Sequence, residues 1–256
     1  MVSVSGEVDV VVLSGVRARA MARIRGRAGG DADPVPAVRD DYKAVWTALS
    51  VTEDAAKTWV QGSSEEAQLE RTARQDFERL QRFLRVTAHD DVLEIGCGVG
   101  RLGTVFAPLC RSWTGCDVSP GMLEYAARRL RGFPNVGFVE VSGFDLQPIG
   151  TKSVDAVYCT VVFMHLTEWD RYGYVEEAYR ILRPGGRLYI DNVSLTTDFG
   201  WKFFQSSRTY EPAKRPPQIG STSTPQEFDA YLQHAGFEFS SVEIVDDSWV
   251  VGHGVK

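Results

Sequence analysis

The sequence predicts an α/β fold in which helices cover both faces of a mainly parallel sheet. Short apolar, β-branched-rich runs bounded by turn residues alternate with helical patterns of about 10–15 residues, which is how strand-helix-strand units read. The first such run, Asp91-Val-Leu-Glu-Ile, passes straight into a glycine-rich turn and then a helix. The size agrees: 256 residues, 43% apolar and 24% charged, suit one large domain with an extension and a normal core.

Residues 1–40 differ from the rest, with Arg17, Arg19, Arg23, Arg25 and Arg27 among Ala and Gly, then Gly29-Gly30, Pro34 and Pro36. We expect a weakly ordered N-terminal extension there, with Met21 another candidate start, or alternatively a basic docking arm. Residues 41–64 read as a helical cap whose Tyr42, Trp46 and Trp59 either fill a core or close over a ligand. The main domain is expected over 65–256. It begins with an amphipathic helix in which Leu69, Ala73, Phe77, Leu80 and Leu84 recur at three- and four-residue steps, ending before His89.

Asp91 to Gly96 reads as a buried strand and Arg101 to Cys110 as the helix that follows it. Trp113 to Asp117 is the second strand. Ser119-Pro120 supplies an N-cap and a first-turn proline for the next helix, and Gly132 closes it. Val136 to Val141 and Val154 to Cys159 are the third and fourth strands. Glu168 to Leu182 is a helix stopped by Pro184-Gly185-Gly186, and Arg187 to Val193 is the fifth strand. A long connection, 196–223, precedes the capping box Thr224-Pro-Gln-Glu227, which opens a helix reaching Gly236. Residues 237–246 and 248–256 complete a seven-stranded sheet, with the last strand antiparallel.

Composition excludes several classes. Thirty-four acidic against 28 basic side chains give a net charge of −6, the opposite of a phosphate-gripping surface, so nucleic acid is not an expected partner. No uncharged apolar run approaches the roughly 18 residues of a membrane span. Val10 to Leu13 is too short for an export signal and follows Glu7 and Asp9 rather than basic residues. The four cysteines (Cys97, Cys110, Cys116, Cys159) form no CxxC pair, which argues against a disulfide framework or zinc site and for a reducing, cytoplasmic setting.

The chemistry centres on Glu94-Ile-Gly96-Cys97-Gly98-Val-Gly100. Three alternate glycines on a strand-to-helix turn let backbone approach a ligand where a Cβ would block it. A nicotinamide or flavin fingerprint wants glycine at 101, which is Arg101, and a nucleotide-triphosphate loop wants a Gly-Lys-Ser/Thr that is absent. Asp117, at the end of the second strand, is placed to accept both hydroxyls of a ribose.

In these segments the chain resembles the class I S-adenosylmethionine-dependent methyltransferases. VLEIGCGVG matches their first motif, and GCDVSPGML, VDAVYCTVVFMHL and LRPGGRLYIDN match the segments around the second, fourth and fifth strands. The resemblance implies a Rossmann-like sheet and S-adenosylmethionine as cofactor. It further implies that Gly96, Cys97, Gly98 and Gly100 line the methionine part with Glu94 near its amino group, that Asp117 holds the ribose, and that Val118 and Met122 flank adenine. Many relatives carry an acid after the third strand; Ser142 stands here instead, so the adenine contact is expected from Gly143, Phe144 and Asp145. Thr160 should face the cofactor.

The expected reaction is methyl transfer to a small-molecule acceptor, with a hydroxyl oxygen the leading atom. An alcohol must lose its proton, and His165 is the candidate base, the alternative being that it packs or caps the next helix. Asp191 is expected to line the acceptor pocket. Asp191-Asn192 resembles half of the metal pair of magnesium-dependent catechol methyltransferases, but Cys159 and Thr160 stand where the fourth-strand acid belongs, so no metal is expected. The Asn/Asp-Pro-Pro-aromatic turn of amino-methylating enzymes and the paired glutamates of arginine methyltransferases are absent. Trp201 and Phe204 in the 196–223 segment, with Tyr42, are expected to shape the acceptor pocket; otherwise those aromatics bury a helix against the sheet or a second subunit in a homodimer. Three other readings stay open: a regulatory cofactor-binding module, a cofactor-bound cyclase, and a protein side-chain methyltransferase.

Overall fold

The computed structural model describes residues 41–256, so the arginine-rich stretch and Met21 lie outside the described residues. Helices α1 (Tyr42–Leu49), α2 (Glu53–Gln61) and α3 (Glu66–Leu84) precede the sheet. The chain then alternates: β1 (Asp91–Ile95), α4 (Gly103–Phe106), β2 (Ser112–Asp117), α5 (Pro120–Leu130), β3 (Val136–Glu140), β4 (Val154–Cys159), α6 (Glu168–Ile181), β5 (Leu182–Val193), α7 (Asp198–Arg208), α8 (Pro225–Ala235), β6 (Phe239–Val245) and β7 (Trp249–Val255).

The seven strands lie in the order β3-β2-β1-β4-β5-β7-β6, with β7 alone antiparallel to its neighbours. Chain order reverses between β1 and β4, and ligands of open parallel sheets bind beyond the carboxyl ends of strands at such a reversal. The two-residue period of the strands divides the core. Leu93, Ile95, Val157, Leu188 and Ile190 face α6 and α8 through Val175, Ala178, Phe228 and Leu232. Val92, Trp113, Ala156, Tyr158 and Tyr189 face Leu80, Leu84, Phe106 and Leu130.

Three elements differ from the sequence expectation. The helix expected over 101–110 is one α-turn, Gly103–Phe106, followed by a 3₁₀ turn, Ala107–Leu109; Pro108 brings no N–H to a continuing helix. Strand β5 extends back through Pro184-Gly185-Gly186, because Gly185 N donates to Lys256 O at 2.6 Å and Lys256 N to Gly186 O at 3.0 Å. The 196–223 connection contains the eleven-residue α7, capped by Thr197 accepting from Gly200 N.

Candidate active site

A cleft opens over the carboxyl ends of β1, β2 and β4. Its lining takes in Glu94, Gly96, Cys97, Gly98, Asp117, Val118, Met122, Gly143 and Thr160 from the sheet side, His165 from the 3₁₀ turn Phe163–His165, and Tyr42, Trp46, Trp59 and Val60 from the N-terminal helices. The void, counting its open mouth, is about 930 Å³.

The glycine turn is shaped as the sequence requires. Gly96 and Gly98 hold φ of +69° and +52°, and a Cβ on them would fall 2.4 Å from Val162 Cγ2 and 2.7 Å from Val60 Cγ2. Gly100 (φ +75°) lies outside the lining and lets the turn pack on α5, where its Cβ would sit 3.0 Å from that of Ala126. The carboxylate of Asp117 accepts from Gly98 N and Ser119 N, each at 2.9 Å, so β2 and the turn are pinned at the cleft floor. Burial pushes its carboxyl pKa up.

Glu94 sits beside it, 4% exposed. Burial pushes its pKa up to about 8 against the opposing effects of a 2.9 Å hydrogen bond from Tyr158 and the positive charge of Arg101. Trp113 Nε1 in turn donates to Tyr158 Oη at 2.9 Å. A carboxyl held near neutrality in this way is poised to ionise when a cation arrives.

His165 is buried, with Nδ1 2.9 Å from Gln218 O. A carbonyl only accepts, so Nδ1 carries the proton and the basic lone pair of the neutral ring is on Nε2. The ring meets Trp46 edge-on, centroids 4.8 Å apart. Arg171 fixes the turn, donating from Nε to Phe163 O at 2.8 Å and from Nη1 to Ser223 Oγ and Glu227 Oε1. The far end of the 196–223 segment therefore does reach the site, through Gln218 and through Ser221, whose Oγ donates to Met164 O at 3.0 Å.

Helices α1 and α2 are docked over the cleft rather than trailing from it. Tyr42 Oη donates to Asp170 Oδ2 at 2.5 Å and accepts from Thr167 N; burial and the Asp170 charge push that phenol up to about 12. Ser50 Oγ lies 2.7 Å from Ser119 Oγ.

The structure does not bring every expected residue into the lining. Phe144 is 48% exposed against the ring of Tyr42, and Asp145 accepts from Gln147 N, both turned out by the Ser142 hydroxyl, which accepts from the amides of 144 and 145. Trp201 and Phe204 stack on each other at 5.4 Å, 50% and 37% exposed, because the phase of α7 gives its inner face to Gly200 and Phe203. Asp191 is fully buried behind the lining, accepting from Thr160 Oγ1 and Val161 N at 2.8 Å. Val60, Arg101, Val162 and Tyr174 line the cleft without having been expected there; only Arg101 stood out in the sequence, as a departure from the nicotinamide pattern. Among the described residues no group of three or more His, Cys, Asp or Glu side chains is arranged to hold a metal ion, and no helix is long and apolar enough to cross a membrane.

Residues 93–190 match the family described as a methyltransferase domain. The chain is 32% identical over 147 residues to a demethylmenaquinone methyltransferase of Tropheryma whipplei, covering 57% of this chain and 60% of that protein. It is 30% identical over 188 residues to the 27-O-demethylrifamycin SV methyltransferase of Amycolatopsis mediterranei, covering 71% and 66%. The DhpI–SAH complex superposes with a TM-score of 0.60 at 20% identity over 85% of this chain and 96% of that one. The chain thus spans about three-fifths to two-thirds of the length of these curated relatives. Residues 93–190 thus form a methyltransferase domain, on the fold that solved S-adenosylmethionine-dependent methyltransferases share.

Proposed function

We propose that this protein transfers the methyl group of S-adenosylmethionine to a hydroxyl oxygen of a small-molecule acceptor. The observation that carries the reading is the convergence of Asp117, the Cβ-free turn at Gly96 and Gly98, Glu94 and His165 on one cleft at the sheet's reversal point. The residues present fit the cofactor: a turn that side chains would fill, a carboxylate at the tip of β2 for the ribose, and a carboxyl with raised pKa for an ammonium group. When bound, S-adenosylmethionine supplies a methyl group on a sulfonium that a nucleophile displaces in line.

The chain's own work is to bind, orient and take a proton. Asp117 fixes the ribose end and Glu94 the amino group. Asp117 is tied to the turn through Gly98 N, and alignment of donor and acceptor supplies up to roughly 7–11 kcal/mol of the barrier. His165 Nε2 accepts the acceptor's hydroxyl proton while Gln218 O holds the opposite edge of the ring. Trp46, Trp59 and Tyr42 give the cleft an aromatic wall on the side of the N-terminal helices. The name of the Amycolatopsis relative, a 27-O-demethylrifamycin SV methyltransferase, supports an oxygen acceptor.

The reading is tested by incubating the protein with isotopically labelled S-adenosylmethionine and a panel of hydroxylated ring compounds, followed by mass spectrometry. A labelled product heavier by one methylene is expected. Asp117→Ala should weaken cofactor binding about 10- to 100-fold, the worth of a charged hydrogen bond or two. Calorimetry showing wild-type affinity in that variant would overturn the assignment of Asp117.

A further inference from the structure

Arg79 is buried on α3 behind the cleft, and its guanidinium meets groups from several elements at once. Nη2 donates to Asp76 Oδ1 at 2.9 Å, and the other oxygen of Asp76 accepts from Arg101 Nη2, just past the glycine turn, at 2.7 Å. Nη2 also lies 3.9 Å from Asp191 Oδ2 on β5. Nε donates to Tyr189 Oη at 3.0 Å, so the phenol directs its own proton to Asp191 Oδ2 at 3.1 Å. Nη1 is 3.7 Å from Asp246 Oδ2 in the turn between β6 and β7.

These contacts bear on Asp191, whose side chain is wholly buried and accepts from the Val161 amide and from the Thr160 and Tyr189 hydroxyls. Three donors around two oxygens suit a carboxylate. A charge that far from water persists when a cation and donors compensate it, and otherwise the group takes up a proton. Arg79 supplies a cation directly and a donor through Tyr189. From Val161 the chain turns at once into the 3₁₀ turn of His165, where His165 N donates to Val162 O at 2.9 Å. Through Asp76 and Arg101 the same guanidinium reaches the glycine turn on the cofactor side.

We propose that Arg79 is a positioning residue for methyl transfer: by keeping Asp191 charged it fixes the chain from Thr160 to His165, and so the seat of His165, against the glycine turn. For its chemistry the inference rests on the reading of His165 as the base. Other titratable groups stand around the pair. Cys159 on β4 feels the Asp191 charge, and that charge and burial keep its thiol neutral. Asp76 and Asp246 face Arg79 from its other sides.

The test uses the full chain with Arg79→Met, Arg79→Lys and the double variant Arg79→Met/Asp191→Asn. In Arg79→Met the uncompensated carboxyl should hold, in the folded state, a proton that the unfolded chain releases above about pH 4. Relative to wild type at each pH, the unfolding constant of Arg79→Met should therefore rise between pH 5 and 8, by up to about tenfold per pH unit. That slope should be smaller in Arg79→Lys and absent in the double variant, where a neutral amide still accepts from Val161 N. The His165 ring signal in an NMR spectrum, assigned by its loss in His165→Ala, should shift in Arg79→Met and return toward its wild-type position in the double variant. Turnover of the compound that wild type methylates should fall up to about 100-fold in Arg79→Met, the cost of a misplaced base, with S-adenosylhomocysteine affinity within about twofold. A stability loss that is level with pH or that Asp191→Asn does not relieve, or an unmoved His165 signal, would overturn the proposal. If Arg79→Met does not fold, a double variant that folds would support it and one that does not would overturn it. Absence of transfer by wild type to any compound would overturn the proposed function alone, because the pH slope and the His165 signal are read without an acceptor.

Discussion

With Glu94 as the proposed partner of the cofactor's ammonium, cofactor binding is expected to release a proton. Its carboxyl is neutral below a pKa of about 8 in the unliganded protein, and pairing with an ammonium requires the ionised form. About one molecule in a hundred is ionised at pH 6 and about one in four at pH 7.5, so affinity for S-adenosylhomocysteine should rise about 25-fold across that interval. At pH 7 each ligand bound should release about 0.9 proton. The ligand's own amine, with an ordinary pKa of about 8, stays largely cationic below pH 7.5. Calorimetry in two buffers of different ionisation enthalpy measures affinity and proton count together. Glu94→Gln should flatten the slope. A wild-type affinity that is level from pH 6 to 7.5 would refute the reasoning, and a slope that survives in Glu94→Gln would transfer the proton to Asp117, whose pKa burial also raises. The same shift implies that the unliganded fold loses stability as pH climbs from 4.5, the ordinary carboxyl value, toward 8, because the native state then holds a proton the unfolded chain has released.

The remaining predictions concern the acceptor side. His165→Ala should cut turnover about 100- to 10,000-fold, the span of a lost general base, with the calorimetric affinity for S-adenosylhomocysteine unchanged; full turnover in the variant would leave positioning alone to carry the chemistry. Trp201→Ala, at an exposed stacked pair, should leave the acceptor KM within about twofold, as surface substitutions do, and a rise of about tenfold in steady-state kinetics would show that α7 reaches the acceptor.

What the sequence reveals of this molecule is what short-range chemistry determines. Strand order aside, β1 to β4 follow from local periodicity, and the glycine turn with Asp117 follows from backbone needs within one strand-turn-helix unit. Side chains brought in from afar are not encoded that way. Val60 covers Gly98 from nearly forty residues upstream, and Arg101 acquires meaning only when Asp76 and Glu94 are seen around it. For Trp201 and Phe204 the aromatic character is visible in the sequence but the phase of α7 is not, and that phase turns them toward solvent while Phe203 is 8% exposed. The helical cap was legible as helices, and its two readings converge: Tyr42 belongs to the core cluster and to the cleft wall at once.

Asp191 shows how one position serves different ends. It lies two residues before the end of the fifth strand, and its two oxygens take the Thr160 hydroxyl, the Val161 amide and, at 3.1 Å, the Tyr189 hydroxyl. Val161 holds φ +63°, a conformation that a β-branched residue adopts only under constraint. The amide that Asp191 grips is the one belonging to that strained residue. The following residue, Val162, supplies the methyl group that a Cβ at Gly96 would strike. Thr160, Val161 and Val162 all line the cleft, and the 3₁₀ turn bearing His165 comes next. A fully buried carboxylate thus sets the path of the chain from the end of β4 to the histidine, and Asn192 does the same on the other side by donating to Ser223 Oγ at 2.9 Å. The acid lies one layer behind the cleft and acts on it through the backbone it holds.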